Sequence, residues 1–226
     1  MAERSKRYRD ACKKVDGAKR YPVPEAVALL KSLPKAKFNE TVEVAMRLGV
    51  DVKQADQLVR GSASLPKGIG KDVRVIAFCT GSQAEAAKAE GAVDAGGEEL
   101  VKKVQEGWAD FDIAVAAPDM MRHVGKLGRI LGPQGKMPSP KSGTVAENVA
   151  QAVKEFRAGR IEYRTDATGN LHAPVGKISF SEEDLRENVD AFISHIQAAR
   201  PSSVKGAFVL GAYLSSSMGP AIRLAV

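Results

Sequence analysis

Apolar residues recur along this chain at two different periods. Tyr8, Ala11, Cys12 and Val15 stand at helical spacing and leave Lys6, Arg7, Arg9, Lys13 and Lys14 around the rest of a short amphipathic helix. A second helix is predicted from Glu25 to Leu33, opened by Pro24 at a tolerated first-turn position, with Ala26, Leu29, Leu30 and Leu33 inward. Pro34 stops it. From Phe38 to Val50 the period changes to two, so that Phe38, Val42, Val44, Met46, Leu48 and Val50 share one face of a strand. Glu40 interrupts that face near its start.

Farther along, the apolar run 73–79 ends at Gly81 and is followed by an alanine-rich helical segment from Ser82 to Glu90; the run 111–117 repeats the pattern. Alternating strand and helix predicts a small parallel α/β sheet. Thr144 and Glu147 form a capping box for a helix through Ala158, ended by Gly159. Segments 160–165 and 171–180 flank the turn 166–170 and read as a hairpin. Ser181 and Asp184 then box a helix with Leu185, Val189, Phe192, Ile193 and Ile196 on one face, and strands are expected at 206–214 and 222–226. No internal repeat is visible.

Composition narrows the class. The 226 residues are 44% hydrophobic and 27% charged, which fits a soluble globular protein of one large domain or two small ones and excludes a disordered or fibrous chain. No apolar run is long enough to span a membrane, and the charged stretch from Glu3 to Lys14 is unlike a signal peptide, so a cytoplasmic location is expected. Cys12 and Cys79 are too few for a disulfide framework and read as small buried hydrophobes. The net charge of +7 lies wholly in residues 1–67, which carry 15 basic against 8 acidic residues, whereas 68–159 carries 12 against 12. Within that neutral middle, Arg122, Lys126, Arg129, Lys136 and Lys141 fall in a stretch without an acid. Sorted basic charge of this kind is a candidate polyanion footprint.

Catalytic chemistry is mostly absent. His123, His172 and His195 are far apart in sequence, with His195 read as a helix-surface residue, and there is no zinc pattern. Gly135-Lys136 and Gly70-Lys71 fail the phosphate-loop pattern on both sides, and Gly125, Gly128 and Gly132 do not make a dinucleotide fingerprint. A nucleotide-dependent enzyme on the middle sheet is one alternative, a general nucleic-acid binder another. The glycine- and proline-rich basic loop 125–143 can follow a phosphate backbone. The loop 215–220 sets Met218 between three serines and a Gly-Pro turn, where no core face calls for it. Hydroxyls and glycine amides there can reach ribose and phosphate.

Several ordered segments together resemble the bacterial ribosomal protein L-one family: 38–44, Val59-Arg-Gly61 with Gly68-Ile-Gly-Lys71, Gly128-Arg-Ile-Leu-Gly-Pro133, Ala158-Gly-Arg160, Ala173-Pro-Val-Gly-Lys177 and Met218-Gly-Pro220. The resemblance runs from end to end. It implies an α/β and α+β protein of two domains: a discontinuous outer α+β domain, 1–67 with 160–226, that binds RNA, and an inserted Rossmann-like α/β domain, 68–159. It also implies a non-enzymatic protein without cofactor or metal, part of the mobile stalk of the large ribosomal subunit. The partners implied are large-subunit ribosomal RNA, exit-site transfer RNA and the protein's own messenger RNA, with a monomer expected when free and no membrane association.

Carried over residue by residue, the resemblance puts RNA contacts at Lys37, Phe38, Glu40 and Thr41, where Glu40 would accept from ribose hydroxyls or orient a basic neighbour. The hairpin would add Arg164, Asp166 and His172, and the last loop Ser217, Met218 and Gly219. Ser217 stands where the family often has threonine, which keeps the hydroxyl. Lys6, Arg7, Lys13, Lys136 and Lys141 are secondary basic contacts, expected to reach phosphates.

Overall fold

The computed structural model describes residues 5–54 and 56–226, so Glu3 and Arg4 lie outside it. Its helices are α1 (Lys6–Lys14), α2 (Val23–Ser32), α3 (Ser82–Ala89), α4 (Glu98–Gln105), the single turns α5 (Met121–Val124) and α6 (Gly128–Leu131), α7 (Val149–Ala158) and α8 (Glu182–Ala198). The strands are β1 (Thr41–Leu48), β2 (Arg60–Ser64), β3 (Val75–Phe78), β4 (Asp94–Gly96), β5 (Ile113–Ala116), β6 (Arg160–Arg164), β7 (Asn170–Lys177), β8 (Val209–Ser216) and β9 (Ile222–Leu224). The chain separates into two compact units: residues up to Gly70 with Ile161–Val226 make one, and Lys71–Arg160 the other.

In the first unit the period-two pattern becomes a four-stranded sheet in the order β7-β1-β8-β9, with β1 antiparallel to both of its neighbours. Val42, Val44, Met46 and Leu48 of β1 are buried with Leu171, Ala173, Val175, Ala212 and Leu214 on one face of the sheet. The apolar stripe of α8 covers that face. Its start is as expected: the Ser181 hydroxyl accepts the Asp184 N–H at 3.0 Å and donates to the Asp184 carboxylate at 2.6 Å. Ala26, Val27 and Leu30 of α2 join the same core, Leu29 only in part. The other face of the sheet carries the odd-numbered, mostly polar positions of β1, Thr41, Glu43, Ala45 and Arg47.

Four local expectations change. Phe38 and Glu40 lie before β1, not in it, because the strand begins at Thr41. The expected hairpin forms only at its tip, where Thr165 bridges Leu171; β6 pairs instead with β2, and both the N–H and the hydroxyl of Thr165 donate to the Val59 carbonyl, at 3.0 and 3.2 Å. Helix α7 is capped by Asn148, which accepts the Gln151 N–H at 3.1 Å, while the buried Thr144 hydroxyl meets that of Ser142 and accepts the Ser139 N–H. Cys12 is exposed, at the edge of the stripe made by Tyr8, Ala11 and Val15; Cys79 is buried, and burial raises its thiol pKa.

The second unit holds the parallel sheet, in the order β4-β3-β5. All four residues of β3 are buried, as a central strand covered on both faces requires. Strand β4 and helix α4, unread in the sequence, complete the crossover that brings β5 back beside β3. Among the described residues no helix is long and apolar enough to cross a membrane.

Candidate nucleic-acid interface

The polar break in the β1 pattern is the centre of the site. Glu40 occupies a core-facing position and is only 2% exposed, so its carboxylate needs partners inside the protein. One oxygen accepts the Ala36 N–H at 2.7 Å; the other accepts the Ser216 hydroxyl at 2.6 Å and the Met218 N–H at 3.1 Å. Burial pushes the carboxyl pKa up, but the bonds from Ser216, Ala36 and Met218 and the Arg7 charge outweigh it, and the net shift is downward. Glu40 is therefore a charged tie between the segment before β1 and the loop after β8. Of its two expected roles, these internal bonds suit the orienting of a basic neighbour, Arg7, and leave its oxygens engaged away from a ribose.

Arg7 completes the cage. Its guanidinium lies 3.6 Å from Glu40 and donates to the Pro34 and Met218 carbonyls at 3.0 and 2.9 Å. Both ends of residue 218 are thus held, the N–H by Glu40 and the C=O by Arg7. Arg7 belongs to the protein's own packing, a correction to its reading as a phosphate contact. Fixing the backbone this way leaves the Met218 side chain outside, 52% exposed, and Phe38 is 55% exposed in the bend that follows Ala36. Exposed large apolar side chains on a rigid loop offer contact surface at little ordering cost.

Ser217 and Gly219 are also explained in part from within. The Ser217 N–H donates to the Thr41 carbonyl at 3.0 Å, and the Ser217 hydroxyl accepts the Thr41 N–H at 3.1 Å, while Lys177 donates to the Thr41 hydroxyl at 2.7 Å. A β-carbon on Gly219 would stand 2.6 Å from the Ser216 hydroxyl, the donor that Glu40 uses. A side chain there would have to displace that hydroxyl from Glu40 whether or not a ribose approaches.

The remaining candidates divide. Asp166 is a turn-former: its carboxylate accepts from the N–H groups of Thr168 and Asn170 and from the Thr168 hydroxyl, each at 2.8 Å, and its pKa is lowered to about 2. Gly169, at φ +81°, closes that turn. His172 is exposed on the open sheet face opposite Ala45, and Arg164 is exposed at the end of β6 in the separate two-stranded sheet. Lys37, Lys6 and Lys13 are exposed, Lys13 beside Asp10 at 3.2 Å. Lys136 donates to the Ala109 carbonyl at 3.0 Å and covers the Phe111 ring, and Lys141 is exposed.

A profile described as the ribosomal protein L1p/L10e family matches residues 29–220. The chain belongs to that family. It is also 50% identical to the large ribosomal subunit protein uL1 of Kosmotoga olearia, over 99% of this chain and 97% of the relative. The family match takes in Lys37–Thr41 and Ser217–Gly219 but starts after α1, so the Arg7 tie lies outside it. Sequence reasoning missed Arg7 as a packing residue, Ser216 and Lys177. Ser216 carried a signal, being the middle hydroxyl of three and the one facing the anomalous Glu40; Arg7 carried none.

The α/β unit has a cleft of its own. It encloses about 510 Å³ at the C-terminal ends of β3 and β5, where such sheets bind nucleotides, and is lined by Gly81, Ser82, Gln83, Asp119 and Glu147 among others. Among the described residues, two carboxylates and no cation line it. That charge opposes a phosphate in this cleft.

Proposed function

We propose that this protein is a structural, non-enzymatic component of the large ribosomal subunit that binds ribosomal RNA through the unit built from both ends of the chain. The observation that carries this reading is the Glu40–Arg7 cage, in which the buried Glu40 and the partly exposed Arg7 hold the backbone that presents Met218, Gly219 and the Phe38 bend. Such an arrangement suits recognition of a folded RNA by shape, with apolar contact to sugars and bases and backbone groups near 2′-hydroxyls. Lys37, Arg164, His172 and Lys177 would add donors around it, and Lys6 and Lys13 phosphate contacts. The excess positive charge of residues 1–67 supports the same assignment.

In finer detail, the protein would form the mobile stalk beside the exit site, help deacylated transfer RNA leave, and repress its own messenger RNA through a mimic of the ribosomal site. Exposed Arg122, Lys126 and Arg129 repeat at helical spacing on the α/β unit and suit contact with a second RNA. Filter binding tests the central reading: tight, salt-dependent binding to large-subunit ribosomal RNA with weak binding to duplex DNA is expected, and equal affinity for both would reduce the protein to a general nucleic-acid binder.

A further inference from the structure

The open face of the four-stranded sheet carries an aromatic ring that the core does not explain. Strand register places His172, Ala45, Tyr213 and Arg223 in one row across β7, β1, β8 and β9, beside a second row of Asn170, Arg47 and Gly211. The hydrophobic core lies on the opposite face, so nothing in the fold requires a tyrosine at the middle of this one.

The ring does not stand up from the sheet. A β-carbon built on Gly211 would lie 3.4 Å from Cε2, 3.7 Å from Oη and 3.9 Å from Cζ of Tyr213, so the side chain leans back along β8 toward the glycine. The contact with the glycine is made by the ring edge that carries Cε2 and Oη, and Tyr213 is 37% exposed. Its lateral neighbour on β1 is Ala45 and the next residue on its own face of β8 is Gly211, so no bulky side chain from these positions covers the ring. Around the ring the row residues Arg47 and Arg223 are cationic and Glu43 is acidic, with Lys177 at the Thr41 end, where the surface continues into Ser217.

We propose that Tyr213 is a stacking platform for an unpaired RNA base, with Arg47 and Arg223 placed to meet the flanking phosphates. The proposal rests on the RNA-binding reading above and extends it from the Met218 loop across the sheet. An aromatic face surrounded by cations suits a base, because every base has a π-face and its backbone is anionic. The competing role for the ring is to cover Gly211 and shield the strand.

The experiment measures binding of the full-length protein to purified large-subunit ribosomal RNA. Tyr213→Ala is expected to weaken binding about tenfold or more, while Tyr213→Phe and Tyr213→Trp stay within about threefold, since stacking needs the ring and not the hydroxyl. Irradiation of the complex at an ultraviolet wavelength that crosslinks aromatic side chains to bases, followed by peptide mapping, is expected to mark Tyr213, which a glycine-covering role would not. A fully paired RNA duplex should bind Tyr213→Ala and the unaltered protein alike. Crosslinks confined to other residues, or unchanged affinity of Tyr213→Ala for ribosomal RNA, would overturn the platform and leave the RNA-binding reading standing. Failure of the unaltered protein to bind ribosomal RNA would overturn both.

Discussion

At the scale of single residues, the cage separates exposed side chains from those that hold them in place. Met218 is of the first kind. Met218→Ala is expected to change stability by less than about 0.5 kcal/mol, as exposed substitutions do, yet to lower ribosomal RNA affinity by about 1 to 3 kcal/mol because apolar packing on the RNA is removed. Titration of the variant against RNA, with thermal melting as control, checks this; equal affinity would return Met218 to an ordinary turn. Gly219→Val is a poorer probe, because the added carbon collides with the Ser216 hydroxyl before any RNA is present. Glu40 is of the second kind. Glu40→Gln removes the charge that faces Arg7 and gives the Met218 N–H a weaker acceptor, and a loss of about 2 kcal/mol in stability is expected, with a parallel fall in RNA affinity. The pH dependence follows from the lowered pKa of Glu40. Its stabilisation is complete above the ordinary carboxylate value and is lost as pH falls through the lowered one, so acid melting of the Gln variant should lack that contribution.

At the scale of elements, β1 shows what was legible and what was not. The alternation of Val42, Val44, Met46 and Leu48 located the strand and its buried face, and Ser181 with Asp184 located α8, because both signals are carried by neighbouring residues. The break at Glu40 also marked the buried carboxylate. Its role did not follow, since the partners that define it are Arg7, Ala36, Ser216 and Met218, drawn from both ends of the chain. The divergence of β6 from β7 was hidden for the same reason: strand partners more than a hundred residues away leave no local mark. Asn188 is a further case, a fully buried polar residue on the apolar stripe of α8. It accepts the Lys67 N–H at 3.0 Å and donates to the Gly68 and Val175 carbonyls at 2.9 and 2.8 Å, joining a connecting loop and β7 to the helix. Asn188→Ala strands these groups in the interior, and chemical denaturation should show a loss of about 2 to 4 kcal/mol. On α1, by contrast, Lys6 and Lys13 are exposed, and neutralising both should flatten the salt dependence of RNA binding by about one unit of log-log slope for each phosphate left without its cation. An unchanged slope would make this helix a packing element whose contribution is the Arg7 tie.

At the scale of the whole molecule, the question is which unit holds specific affinity. Each unit has its own buried core, and the two cores share no residue. Every member of the Glu40 cage belongs to the unit formed by the chain's two ends. The insertion carries 12 basic and 12 acidic residues over 68–159, so it adds no net attraction to a polyanion, whereas residues 1–67 hold the full excess of +7. Replacing residues 71–159 by a short Gly/Ser linker, and keeping Arg160 because β6 begins there, should therefore preserve the outer core and most of the specific affinity for ribosomal RNA. The physical demand falls on the linker, which must let β6 reach β2 without pulling on it, and two linker lengths separate that problem from a true role of the insertion in binding. Affinity within about tenfold of the full chain, measured by filter binding on a variant whose circular dichroism and cooperative melting show a folded state, is the expected result. A folded variant of either length that binds ribosomal RNA no better than duplex DNA would place the determinants of specificity in the α/β unit, where the exposed row of Arg122, Lys126 and Arg129 would be the first residues to test.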